Sequence, residues 1–216
     1  MDSVSKRFVV VGAGPGSLEW LTPMGRRAVE DAAALAGPPR LLDLFPGLPV
    51  PRIPFQSAIE PWLEQVAAHA EQVPDGTIAV LVSGDPGVSS LAAHVLRRFG
   101  RTQCRVVAGI SSVQLACAAL GLGWDQASVI VAHSAVPEAI PRNLEARDPW
   151  IILMGARGAE SFVAKWIRES GRVAYRCEDL SLPTECVMRT SAEELAQLSV
   201  HPRRIVILAR EDRDES

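Results

Sequence analysis

The sequence predicts an α/β protein of two lobes, the first on a mainly parallel sheet and the second on a mixed one. Two observations carry this. Short apolar runs alternate with helical patterns along the whole chain, and in the first half this β-α-β rhythm implies parallel strands covered on both faces. In the second half, the runs at 173–177 and 185–189 are separated by a short polar segment, which implies an antiparallel pair. The lobes are placed at residues 1–109 and 110–216, meeting near Gly109-Ile110. A chain of 216 residues is long enough for two such lobes with cores of their own.

The first strand, Phe8-Val9-Val10-Val11, opens into the turn Gly12-Ala13-Gly14-Pro15-Gly16-Ser17. Thr22 is the N-cap and Pro23 the first residue of a helix predicted over 23–35. A second strand is expected at 41–44. Pro46, Pro49, Pro51 and Pro54 exclude a helix there and predict an ordered loop or polyproline segment. Ile59, Trp62, Leu63, Val66, Ala67 and Ala70 form one apolar face of a helix over 57–72. A strand at 77–82, a helix at 89–99 closed by Gly100, a strand at 104–108 and a helix at 111–120 follow. Strands are expected at 127–132 and 150–154, the latter leading into a helix through Phe162, Val163, Trp166 and Ile167. Strands at 173–177, 185–189 and 203–209 and a short helix at 192–198 complete the pattern, with a frayed tail at 210–216.

A net charge of −3 and a pI near 5.8 argue against a sequence-independent nucleic-acid binder. The four cysteines, Cys104, Cys117, Cys177 and Cys186, form no C-x-x-C pair, and no histidine stands at ligand spacing from them. No metal site is therefore expected, and the thiols are read as reduced and partly buried in a cytoplasmic protein. The first seven residues lack the apolar core of a signal peptide, and no run approaches the roughly 20 apolar residues of a membrane span.

The Gly12–Gly16 turn resembles a dinucleotide fingerprint but fails its test. The third glycine of G-x-G-x-x-G falls on Ser17, Pro15 removes a backbone donor, and the helix begins too late to face a pyrophosphate. No acidic residue follows at the required spacing, Asp43 being too far, so a nicotinamide dehydrogenase is disfavoured. Open parallel sheets bind ligands beyond the carboxyl ends of their strands. Four strand ends here carry small turn-forming residues: Gly12 to Gly16, Ser83-Gly84-Asp85-Pro86-Gly87, Gly109-Ile110-Ser111-Ser112 and Gly155-Ala156-Arg157-Gly158. Each alone is ordinary turn chemistry; together they suggest one ligand site.

In those segments the chain resembles the tetrapyrrole (corrin and porphyrin) methylases. The family's V-G-x-G-P-G turn followed by L-T is matched by Val11 to Gly16 with Leu21-Thr22. Its G-D-P is matched by Gly84-Asp85-Pro86, its P-G-I-S-S turn by Ala108-Gly109-Ile110-Ser111-Ser112 with alanine for proline, and its apolar strand ending in M-G by Met154-Gly155. The motifs run in the family's order over essentially the whole chain. The stretches GISSVQLACAALGLGWD at 109–125 and CEDLSLPTE at 177–185 are similar to the subfamily that methylates C-5 of precorrin-7. Two features depart from it: His133-Ser134-Ala135 replaces a usual H-G-R, and Asp179 and Thr184 replace a usual Asn and Asp.

The resemblance implies two α/β lobes with a cofactor cleft between them, S-adenosylmethionine as methyl donor, a corrinoid precursor (precorrin-7 or its cobalt form) as acceptor, and a homodimer. The C-terminal decarboxylating domain fused to some members would lie beyond residue 216, so C-5 methylation alone is expected. By the resemblance, Pro15, Gly84, Asp85, Ser111, Ser112, Met154 and Ala209 match cofactor-contacting positions. Read from the residues alone, Asp85 also suits an Asx-turn holding its own loop, Ser111 and Ser112 suit a helix cap, and Met154 suits the core. His133 is either an acid or base or a hydrogen-bonded structural histidine; Asp85 and Arg157 are the other catalytic candidates. Arg52, Arg142 and Arg157 could clamp substrate carboxylates or be plain surface arginines, and the proline-punctuated loop could rim the substrate site or merely connect. No Ser/His/Asp or Cys/His arrangement suggests a covalent nucleophile, as expected if the electron-rich meso carbon of the acceptor attacks the methyl group itself. The alternatives are the same fold with another acceptor (a different corrin carbon, a modified histidine or an RNA ribose) and a non-catalytic tetrapyrrole carrier.

Overall fold

A computed structural model describes residues 6–137 and 144–211; Arg142 and the last five residues lie outside the described residues. The chain divides into two compact units, 1–112 and 113–216.

The first unit is a five-stranded sheet of β1 (Phe8–Gly12), β2 (Ala34–Gly37), β3 (Arg52–Pro54), β4 (Ile78–Val82) and β5 (Cys104–Val107), in the order β3-β2-β4-β1-β5. Every pairing is parallel. The continuous apolar strands β1 and β4 are buried on both faces, as a parallel sheet with helices on each side requires. On one face Phe8, Val10, Ile78 and Val80 pack against Trp62, Leu63 and Val66 of α3 (Ile59–Gln72) and Val95 of α4 (Ala92–Phe99). On the other, Val9, Val11, Ala79 and Leu81 pack against Ala28 and Val29 of α1 (Pro23–Glu30) and Leu41 and Leu42 of α2 (Pro39–Leu42).

Thr22 caps α1 as expected, its hydroxyl accepting from the Gly25 N–H at 3.0 Å, with Pro23 at the first position. The helix stops at Glu30 rather than near 35, and 34–37 is a strand. The alanines of Ala32-Ala33-Ala34-Leu35-Ala36 favour helix locally, but pairing on both sides within the sheet decides. The strand expected at 41–44 is instead the end of a one-turn helix started by Pro38-Pro39, proline being well suited to a first helical turn. The proline-rich loop contributes the edge strand β3, where a proline costs no ladder hydrogen bond.

The second unit carries β6 (Ser128–Ala132), β7 (Trp150–Met154), β8 (Val173–Glu178), β9 (Cys186–Arg189) and β10 (Arg204–Ala209), in the order β6-β7-β10-β8-β9. Only β6 and β7 are parallel; the predicted β8–β9 hairpin is antiparallel, which makes the sheet mixed. One face, with Ile130, Trp150, Ile152, Val206 and Leu208, packs against Val163 and Trp166 of α6 (Ala159–Ser170) and Leu195 of α7 (Ala192–Gln197). The remaining helix, α5, spans Ser112–Leu120. Ser191 and Glu194 form a reciprocal capping box at the start of α7. Among the described residues no helix is long and apolar enough to cross a membrane, and no group of three or more His, Cys, Asp and Glu could hold a metal.

Candidate functional site

The parallel register places the carboxyl ends of β1, β4 and β5 side by side, and the three turns that leave them are tied together by backbone. Gly14 and Gly84 form an isolated antiparallel bridge, Gly84 N–H to Gly14 O at 2.8 Å and Gly14 N–H to Gly84 O at 3.3 Å. Both glycines are left-handed, at φ +75° and +64°. A Cβ on Gly109 would lie 2.3 Å from the Gly84 carbonyl oxygen and 2.6 Å from that of Gly12; one on Gly12 would lie 2.6 Å from the Gly109 nitrogen. Only glycine lets the three strand ends approach this closely.

Asp85 locks the arrangement. Its Oδ1 accepts from Gly87 N–H at 2.8 Å, the expected Asx-turn, and its Oδ2 accepts from Gly109 N–H at 3.1 Å. One carboxylate thus joins the β4 loop to the β5 turn, a contact across 24 residues with no local signal in the sequence. Pro15 is buried in the first turn, Ser111 is 4% exposed in the third, and Ser112 opens α5. The structure therefore brings Pro15, Gly84, Asp85, Ser111 and Ser112 to one edge of one sheet.

Arg52 is a structural residue rather than a clamp. Its guanidinium donates to the Leu42 carbonyl at 2.9 Å and to the Phe45 carbonyl, and it lies 4.0 Å from Asp43. The turn after α2 consumes the fork that a substrate carboxylate would need.

In the second unit, parallel pairing puts the ends of β6 and β7 together, Ala132 opposite Met154. His133 Nδ1 lies 2.9 Å from the Met154 carbonyl oxygen. A carbonyl only accepts, so Nδ1 is the donor, and in the neutral imidazole Nε2 is the nitrogen with the lone pair. Gly155, at φ +151°, leaves room for the ring: a Cβ there would lie 2.4 Å from His133 Nδ1. Met154 is buried, its side chain in the core under α6, while Arg157 is exposed two residues beyond Gly155. Ala209 is buried at the opposite end of the sheet, because β10 runs antiparallel to β7 and pairs Ile205 with Leu153 but Leu208 with Trp150. Met154, His133 and Arg157 share an edge; Ala209 does not.

The same edge carries a charge network that sequence reasoning missed. Arg204, 4% exposed, donates to Glu160 at 2.8 Å and to Glu178 at 2.5 Å, and Arg176 donates to the other Glu178 oxygen at 2.6 Å. Arg204, Glu160 and Glu178 are buried and Arg176 is half-buried, and the two arginines and two glutamates balance one another, as interior charges must. Beside them Asp179 accepts from Arg203 Nε at 2.6 Å and from the Thr184 hydroxyl at 2.8 Å. Burial alone would push the Asp179 carboxyl up, but the hydrogen bonds from Arg203 and Thr184 and the charges of Arg203 and His201 outweigh it and hold the group below its ordinary value. Burial pushes the Cys177 thiol up to about 12, reinforced by nearby Cys117, Cys186, Glu185 and Glu178.

A parallel unit with glycine turns knotted at one edge, followed by a mixed unit with a parallel pair at its margin, defines a two-unit α/β protein. Residues 7–196 match the family model of the tetrapyrrole (corrin/porphyrin) methylases, and the chain belongs to that family. The family uses S-adenosylmethionine. Over 126 residues the chain is 35% identical to the cobalt-precorrin-7 C(5)-methyltransferase of Salmonella typhimurium, covering 58% of this chain and 61% of that protein. It is 31% identical over 125 residues to the probable cobalt-precorrin-7 C(5)-methyltransferase of Methanocaldococcus jannaschii, covering 57% and 59%. Both matches span less than two thirds of the relative's own length. The uroporphyrin-III C-methyltransferase of Thermus thermophilus, solved in complex with S-adenosylhomocysteine, is similar in fold: TM-score 0.72 over 94% of this chain and 92% of that one, at 23% identity.

Proposed function

We propose that the protein transfers a methyl group from S-adenosylmethionine to C-5 of precorrin-7 or cobalt-precorrin-7, a step of cobalamin biosynthesis. The observation that carries the donor half is the knot of glycine-bearing strand ends joined by Asp85 in the parallel unit. The residues present fit the donor. Gly84 is the open member of the knot, the nearest atoms to a Cβ there being 3.6 Å away or more. Ser17 Oγ, enclosed just after the first turn, has no hydrogen-bond partner among the described residues, as in a site that a ligand completes.

When bound, the sulfonium supplies an electrophilic methyl group. The chain's part is to bind and orient. Pro15, Gly84, Ser111 and Ser112 would contact the donor from the parallel unit, with backbone groups at close approach and a preformed shape. Asp85 sets that shape through Gly87 and Gly109 and keeps unused lone pairs for the ligand. Met154 is the better placed of the two candidates in the mixed unit, since its strand end is shared with His133 and Arg157 whereas Ala209 lies at the far end. With Nδ1 bonded to Met154, Nε2 of the neutral His133 ring would be the acceptor, suited to taking a proton from the methylated tetrapyrrole.

The names of the two relatives and the stretch at 177–185 support C-5 as the acceptor carbon. The test is incubation with S-adenosylmethionine and a panel of precorrins, with and without cobalt. The expected product is precorrin-7 gaining one methyl at C-5, with matching release of S-adenosylhomocysteine. Methylation at another carbon would reassign the acceptor, and tetrapyrrole binding without S-adenosylhomocysteine would make the protein a carrier. The homodimer belongs to the same proposal, and sedimentation showing only monomer would remove it.

A further inference from the structure

We infer that Arg203, held in place by Asp179, binds a carboxylate of the methyl acceptor. This rests on the reading above that the acceptor is a polycarboxylate tetrapyrrole. Arg203 lies at the start of β10, beside the end of β8, because Arg204 pairs with Glu178 and Ile205 with Leu153. That is the sheet edge that carries Met154, Gly155 and Arg157.

The guanidinium is anchored on one side only. Nε donates to Asp179 Oδ1 at 2.6 Å, and the Asp179 N–H donates back to the Arg203 carbonyl at 3.4 Å. The two terminal nitrogens have no hydrogen-bond partner among the described residues, and the side chain is 40% exposed. An arginine fixed through Nε with its fork outward is preorganised for a carboxylate, the geometry that guanidinium matches best.

The anchor itself is held on several sides. Asp179 is a non-glycine residue at φ +51° and is buried, with its carboxylate also bonded to Thr184 at 2.8 Å and 3.5 Å from His201 Nε2. Two residues on, Ser181 at φ +73° donates its N–H to Glu185 at 2.6 Å, closing the loop from its other side. Strained backbone persists where the surroundings over-determine it, and it gathers at ligand sites. An ordinary surface ion pair needs none of this. Asp179 and Thr184 are partners in one hydrogen bond, and the charge sits at 179, against Arg203. Arg157, exposed and without an ion pair among the described residues, offers a second fork on the neighbouring strand end.

The probes are uroporphyrin, a stable polycarboxylate tetrapyrrole, followed by fluorescence, and S-adenosylhomocysteine, followed by calorimetry. Arg203→Ala is expected to weaken uroporphyrin binding about tenfold or more, the loss of one charge-assisted pair, with S-adenosylhomocysteine affinity unchanged. Arg203→Lys is expected to weaken it too, since one ammonium cannot both hold Asp179 and fork a carboxylate. Asp179→Asn, which keeps the arginine but loosens its anchor, should fall between. Unchanged uroporphyrin affinity in Arg203→Ala, with S-adenosylhomocysteine binding intact, would overturn the assignment alone. A wild-type protein that fails to bind S-adenosylhomocysteine would overturn the methylase reading, and the assignment with it.

Discussion

The two sheet edges that carry the candidate residues are built from different materials. In the parallel unit the edge is backbone: glycines at 12, 14, 84 and 109 bring three strand ends within van der Waals distance, and one carboxylate ties them. In the mixed unit the edge is side chain: a histidine on a carbonyl, an arginine on an aspartate, a largely buried quartet of charges. A backbone edge is rigid, suited to a ligand of constant structure. A side-chain edge can be retuned by single substitutions, suited to a partner that varies between relatives.

The contrast should break first at Gly109. Gly109→Ala forces a Cβ to 2.3 Å from a carbonyl oxygen that cannot move independently, and should cost about 3 kcal/mol or more in urea unfolding. Gly121→Ala, at φ +66° but in open space, should cost only about 1 kcal/mol. Equal losses would refute the knot. Gly155→Ala comes next. Its Cβ meets first a movable histidine ring, at 2.4 Å, and only then backbone, the His133 carbonyl oxygen at 3.1 Å, so His133→Ala in the same chain should restore about 1 kcal/mol in a double-mutant cycle. Asp85→Ala leaves two backbone donors without their acceptor and should cost about 1–2 kcal/mol, Asp85→Asn less because one oxygen remains.

A smaller effect concerns acid. The folded Asp179 carboxyl is held below its ordinary 3.8, so the stability it contributes is present above that value and is lost as pH falls through the lowered one. Asp179→Asn should therefore flatten the acid limb of the stability profile below about pH 4, and an unchanged limb would contradict the anchor. The smallest effect is chemical. Buried and raised to about 12, the Cys177 thiol should resist alkylation at neutral pH until the protein unfolds, as mapped by mass spectrometry.

The same contrast explains what could be read from the sequence. The parallel edge was legible because backbone sites demand glycine, proline and small polar residues at fixed offsets, and Gly12, Gly14, Gly84 and Gly109 stand in the chain as turn signals. What could not be read there was the Asp85–Gly109 bond, which joins positions 24 residues apart. The mixed edge was hardly legible. Thr184 and Asp179 looked like two unrelated departures until they proved to be bonded, and Arg203 carried no signal beyond its charge. Errors in the fold had one physical source. Ala32 to Ala36 and Leu41-Leu42 carry local preferences that sheet pairing and the Pro38-Pro39 start override.

The central claim is that the glycine knot binds the methyl donor. Calorimetric titration of S-adenosylhomocysteine into the wild-type protein and into Asp85→Ala tests it most directly. The account predicts one saturable site in the wild type and markedly weaker binding once the carboxylate that sets the knot is gone. No binding to the folded wild-type protein, or equal affinity in the variant, would contradict it.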